Sequence, residues 1–201
     1  MAHGLHNGGT IMMKGLRIGG CVLLLLFALS ARAVQFHDIE FPDTVKLQGS
    51  PVALQLNGIG YRTKFFFKIY IGALYLPEAS SVVETILTQP GPKRIHMHFL
   101  YEEVEREKLV TAWNEGFENN HDAATLARLK DRITQFNNVF PTLREGDEVL
   151  LDYIPRKGTR VTIKGNEVAL IKGKDFYQAL LKIWLGEEPA DDGLKDALLG
   201  L

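Results

Sequence analysis

Hydrophobic and polar positions follow two periods along this chain. Over residues 51–56, Val52, Leu54 and Leu56 alternate with smaller or polar residues, a period of two that predicts a strand. Residues 65–76 are rich in aromatic and β-branched side chains (Phe65, Phe66, Phe67, Ile69, Tyr70, Ile71, Tyr75), which suit a pleated surface, and Pro77 closes the run. Over residues 94–101 the alternation is clean. Ile95, Met97, Phe99 and Tyr101 fall on one face and Arg94, His96 and His98 on the other.

The period then lengthens. Leu109, Trp113 and Phe117 share a helical face. Leu126, Leu129, Ile133, Phe136 and Phe140 form a second stripe at steps of three and four, behind Asp122 as a candidate N-cap and ahead of Pro141 as a stop. Period two returns over residues 149–154, 160–164 and 167–171, separated by the turns Pro155 to Gly158 and Gly165-Asn166, which predicts a three-strand meander. A helix over residues 175–185 buries Phe176, Leu180, Ile183 and Trp184 and ends at Gly186, a candidate C′ residue; a short helix over 191–199 follows. Strands, helices, strands, helices with hairpin connections make an α+β fold, an antiparallel sheet with helices on one face. Such a pair of layers can hold a cleft.

The first thirty-odd residues stand apart from this pattern. Residues 1–33 carry Lys14, Arg17 and Arg32 and no acid, an apolar run from Ile18 to Leu29, then Ala31-Arg32-Ala33. A basic start, a short apolar stretch and a small-x-small site describe a secretory signal peptide, with residues 34–201 as the exported domain. The apolar run is shorter than the roughly 20 residues a spanning helix needs. Its position after Cys21 argues against a lipid-anchoring box.

Composition matters mainly through this division. The whole chain of 201 residues has 23 basic and 24 acidic side chains and one cysteine. Losing three bases and no acid leaves a mature net charge of −4, and Cys21 leaves with the leader. The mature domain then has no disulfide, no cysteine nucleophile and no cysteine zinc site. It lacks the basic balance of a nucleic-acid coat and, after cleavage, a membrane span. A bacterial periplasm is the expected location.

Candidate chemistry is sparse. His96 and His98 point the same way on a strand but have no third ligand nearby, so the expectation is a solvated outer face and no metal. Gly58-Ile59-Gly60 is too short for a dinucleotide fingerprint, and no cofactor is expected. Arg62 is the exception, since an arginine leading into an apolar strand needs an anion or acceptor partner. A solvent-facing arginine beside Lys64 and Lys68 is the alternative.

The segment 58–76, with its Gly58, Gly60, Arg62, Tyr70, Gly72 and Tyr75, resembles the chalcone isomerase-like family. So do Trp113-Asn114-Glu115-Gly116-Phe117, the run from Gly146-Asp147 through Asp152 and Pro155 to Gly158-Thr159, and Phe176 through Ile183-Trp184-Leu185-Gly186, in the family's order. The resemblance implies an open-faced β-sandwich with a ligand between sheet and helices. It also implies a choice between isomerases that close chalcones into flavanones, fatty-acid binders and non-catalytic relatives. Arg62 matches the arginine that polarises substrate in the enzymes. The enzymes' tyrosine, asparagine and hydroxyl positions fall here on Glu105, Ala112 and Ile183.

The expectation is therefore an exported, non-catalytic binder of a small amphipathic acid such as a fatty acid. Arg62 and a tyrosine would clamp the carboxylate, Tyr75 first and Tyr70 second. Strict alternation places Arg62 with Tyr70, and a bulge near Thr63-Lys64 would reverse that. Phe67, Phe99, Trp113 and Trp184 would lie against the apolar tail. An isomerase with Arg62 as electrophilic stabiliser and a ligand-free interaction module are the rivals.

Overall fold

Twelve residues of near-continuous strand, Ala53–Lys64, set the geometry of the molecule. The computed structural model describes residues 33–201 together with Met1 and Gly4, so the predicted signal peptide lies almost wholly outside the described residues. In chain order the elements are β1 (Ala33–Phe36), β2 (Ile39–Pro42), β3 (Thr44–Lys46), β4 (Ala53–Lys64), β5 (Phe67–Leu76), α1 (Val83–Thr88), β6 (Lys93–Phe99), β7 (Glu103–Val104), α2 (Arg106–Asn120), α3 (Ala123–Asn138), β8 (Leu143–Arg144), β9 (Glu148–Ile154), β10 (Gly158–Ile163), β11 (Asn166–Ile171), α4 (Lys174–Leu185) and α5 (Asp192–Leu198). Seven strands pair antiparallel in the order β11-β10-β9-β6-β5-β4-β3, and the helices pack on one face. This is the predicted α+β architecture of a large antiparallel sheet under a helical layer. Among the described residues no helix is long and apolar enough to cross a membrane.

Two cores follow from the period of two. The inner one holds Tyr70, Leu74, Ile95, Met97 and Phe99 of the sheet against Trp113, Phe117, Phe136, Phe176 and Trp184 of the helices. α3 starts as its sequence predicts, with the Asp122 carboxylate accepting the Thr125 N–H at 2.7 Å.

The outer face is not the solvated surface predicted. Leu54, Ile71, Ala73 and Tyr75 are covered by Phe41 and Leu47, with Phe36 and Ile39 at the margin. The N-terminal residues carry apolar side chains that must be buried somewhere, and the free sheet face takes them. His96 and His98 are accordingly half-buried. Both meet the Glu148 carboxylate, at 3.1 and 3.4 Å, and the Phe41 ring lies 5.1 Å from His96. Deeper in the same face Asp152, 1% exposed, is held by Arg94 at 2.6 Å and Arg160 at 2.9 Å.

Two further differences bear on the site. Phe65 and Phe66 form the β4–β5 hairpin turn rather than the start of a strand. Gly186 ends α4 with φ −73°, outside the left-handed region expected of a C′ glycine. A Cβ there would meet the Asn120 Oδ1 at 2.0 Å, so close approach of α2 explains the glycine.

Candidate functional site

Arg62 and Tyr70 sit directly opposite each other on β4 and β5, so their side chains leave the sheet on the same face. A bulge at Ile69 separates this pair from the Thr63–Lys68 pair. The Lys64–Phe67 and Thr63–Lys68 pairs would otherwise continue to Arg62 opposite Ile69; the extra residue advances β5 by one and sets Tyr70 there. The register is regular from Tyr70 to Tyr75 along β5, and Tyr75 therefore points to the opposite face. It is buried in the outer core, cross-strand from Arg94, and its hydroxyl has no hydrogen-bond partner among the described residues. The structure places Arg62 with Tyr70, and Tyr75 away from both.

The Tyr70 ring packs on Phe99 at 5.4 Å, and the Trp184 Nε1–H donates to its hydroxyl at 2.9 Å. Burial pushes the Tyr70 hydroxyl up to about 12, against the opposing pull of Arg62 and the Trp184 bond. At neutral pH it keeps its proton. Trp184 occupies the oxygen, and the O–H remains a donor with no acceptor among the described residues.

Arg62 has a counter-ion that sequence reading missed. Asp191 is the N-cap of α5: Oδ1 accepts the Leu194 N–H at 2.9 Å, and Oδ2 accepts the Thr63 N–H at 2.8 Å while lying 3.6 Å from Arg62 Nη1. The same Nη1 donates to the Thr63 carbonyl. Nε and Nη2 make no hydrogen bond among the described residues. These two atoms form the edge of a guanidinium that takes a carboxylate through two parallel bonds.

Gly58 and Gly60 explain how Asp191 arrives. A Cβ on Gly58 would lie 2.1 Å from the Ala197 carbonyl oxygen, and one on Gly60 2.5 Å from the Ala197 Cβ. The bare strand lets α5 dock against it, which sets the N-terminus of α5 beside Arg62. The only sequence signal for this was Gly-x-Gly ahead of the arginine, together with an aspartate at a helix start.

Next to Arg62 and Tyr70 a cavity of about 540 Å³ opens between the sheet and α2, within the roughly 300–1,000 Å³ typical of small-molecule sites. Phe99, Leu109, Ala112, Trp113 and Ile183 give it apolar walls, while Phe65, Phe67, Lys108 and Glu188 stand at its more exposed edge. Of the four residues expected to line a cleft, Phe67, Phe99 and Trp113 do so. Trp184 lies behind, orienting Tyr70. The buried Trp113 Nε1–H has no acceptor among the described residues. No group of three His, Cys, Asp or Glu among the described residues is placed to hold a metal ion.

The profile of the chalcone isomerase-like family matches residues 33–200. The chain belongs to this family. A solved structure titled as a fatty-acid-binding protein of Arabidopsis thaliana is similar in fold, with 16% identity and a TM-score of 0.66 over 84% of this chain and 96% of that one. No curated protein sequence matches. The chalcone isomerase-like family includes both isomerases and non-catalytic fatty-acid binders. Of the three positions that the sequence resemblance matched to the enzymes' polar groups, Ala112 and Ile183 present apolar surface to the cavity; Glu105 precedes α2 and lies outside it.

Proposed function

We propose that this chalcone isomerase-like protein is a non-catalytic binder of a small amphipathic carboxylic acid, such as a fatty acid, and that residues 1–33 export it to the bacterial periplasm. One observation carries the ligand reading. The unbonded Nε–Nη2 edge of Arg62 and the donor O–H of Tyr70 share one face at the border of a cavity whose inner walls are apolar and whose charged residues, such as Lys108 and Glu188, stand at its exposed edge. A carboxylate is the group that accepts from both, and an acyl chain is what the apolar walls accommodate. Apolar atoms at Ala112 and Ile183 support binding over catalysis, because those two positions offer no hydrogen bond to orient a reacting carbonyl or a water. The similarity in fold to a fatty-acid-binding protein agrees with this choice.

Denaturing mass spectrometry of the purified protein identifies any acid it carries. Titration with fatty acids of graded length then compares wild type with Arg62→Ala and Tyr70→Phe. The expected outcome is weaker binding of about tenfold or more for Arg62→Ala, whose loss removes a charge-assisted pair. Absence of any bound acid, with equal affinity in both variants, overturns the proposal. Chalcone cyclisation that disappears in Arg62→Ala would establish the isomerase reading instead.

A further inference from the structure

The turn between β4 and β5 combines three unusual features. Phe65 and Phe66 are 83% and 96% exposed, and Phe67 follows at 56%, so three consecutive aromatic side chains project from one hairpin. Phe65 adopts φ 57°, a backbone region normally left to glycine in a two-residue turn. Lys64 and Lys68 flank the aromatics. They belong to a stretch from Thr44 to Pro77 that holds four basic residues and no acid, in a chain whose net charge is −1. The chain thus keeps a bulky residue in a strained turn and two rings in water, with few internal contacts to offset either.

We propose that this tip docks the protein on an anionic lipid bilayer, with the phenylalanines in the interface and the lysines at the level of the headgroup phosphates. One or two residues of extended chain separate Lys64 and Lys68 from the apex, roughly 3–7 Å, which matches the ~5–10 Å depth of interfacial apolar insertion. A convex tip with so little supporting structure fits a soft surface better than a preformed pocket on another protein. Of the acids near the mouth none belongs to the hairpin: Glu115 is on α2, Glu188 follows α4, and Glu103 is on β7, paired with Arg144 at 2.5 Å. Phe65 and Phe67 also border the cavity, so docking places its mouth at the membrane. That loading role rests on the ligand reading above; the docking itself does not.

Phe66 lies outside the cavity lining, which makes Phe66→Trp a clean reporter in the full chain. The native Trp113 and Trp184 are buried, and Trp113 lines the cavity, so the same titration of wild type supplies the background to subtract. Vesicles of equimolar phosphatidylcholine and phosphatidylglycerol, with no fatty acid present, should shift the Phe66→Trp emission to the blue, and brominated acyl chains should quench it. The signal should weaken in high salt and on pure phosphatidylcholine. Adding Lys64→Gln and Lys68→Gln should lower the apparent partition about thirtyfold at low salt. Phe65→Gly should keep or raise the thermal midpoint while weakening partition, showing that any loss is not misfolding. Absence of both blue shift and quenching overturns the proposal. So does an emission shift that follows protein concentration without lipid, which would place the tip between two copies. A response indifferent to lipid charge and to both lysines overturns it as well.

Discussion

Asp191→Asn should make the cleft bind a carboxylate more tightly while making the protein slightly less stable. In the free protein Asp191 lies 3.6 Å from Arg62 Nη1, and the two side chains are 16% and 20% exposed. A carboxylate on the Nε–Nη2 edge would stand on the other side of the same guanidinium, ~6 Å from Asp191. At an effective dielectric of ~20–40 that repulsion amounts to roughly 1.4–2.8 kcal/mol. Partial exposure to solvent favours the lower part of the range. Removing it should lower Kd about tenfold. Asparagine is still a good helix cap and can accept the Leu194 N–H, but its amide cannot also accept the Thr63 N–H. The cost is about 1–2 kcal/mol, a lowering of the thermal midpoint by roughly 2–8 °C.

Calorimetric titration of wild type and Asp191→Asn with the same fatty acid measures the effect, with two controls fixed by its electrostatic origin. The methyl ester of the acid, having no charge, should bind both proteins alike. Raising the salt concentration should shrink the difference between them. Unchanged or weaker binding of the free acid by a folded Asp191→Asn protein would refute the arrangement argued here. An equal gain for acid and ester would show that the substitution merely loosened the cavity.

Three other perturbations test the frame that holds the site. Gly58→Ala drives a Cβ to 2.1 Å from the Ala197 carbonyl oxygen; it should cost upwards of 2 kcal/mol in urea denaturation and speed amide exchange throughout α5, and a neutral effect would contradict the docking described. Asp152→Ala strips two guanidinium groups of their shared partner in the outer face and should cost ~3–5 kcal/mol, whereas a loss under ~1 kcal/mol would mean the ion cluster is incidental. Hydrogen bonding, first to His96, holds the Glu148 carboxyl down to about 2 from 4.5, so its contribution is complete above pH 4.5 and is lost as pH falls toward 2; Glu148→Gln should flatten the acid limb of a stability–pH curve in that window, and an unchanged limb would count against the contact.

The sheet and the long helices were readable because one amphipathic period runs uninterrupted through each. Ile95, Met97 and Phe99 can share a face only in a strand, and Leu129 and Phe136 only in a helix. Alternation along the chain also named the right partner for Arg62, though by two offsetting events: the two-residue turn reverses the parity between Arg62 and Tyr70, and the bulge at Ile69 restores it. What escaped depends on events between distant segments. Phe36, Ile39 and Phe41 are too few and too close to a turn to announce that they cover the far side of the sheet. Phe65-Phe66 contains none of the residues that mark turns, and aromatic propensity read it as strand. The bulges at Asn57 and Ile69 leave no local signature. Asp191 is a cap by sequence; it becomes the partner of Arg62 only once α5 has settled on Gly58 and Gly60.

That dependence bears on the choice between catalysis and binding. An arginine that stabilises developing negative charge works best when its field is preorganised and not already neutralised. Here the docking of α5 brings a carboxylate to one side of Arg62, fixed by two backbone N–H groups as well as by the ion pair. Asp191 is thereby part of the fold, and moving it away from Arg62 would break both backbone bonds. Such a site discriminates less sharply between a ground state and a more anionic transition state, because Asp191 repels added charge in both. For a carrier the same arrangement is useful. It keeps a half-buried guanidinium stable in the empty cleft and holds the affinity for a carboxylate below what Arg62 alone would reach, so that a bound acid can leave again.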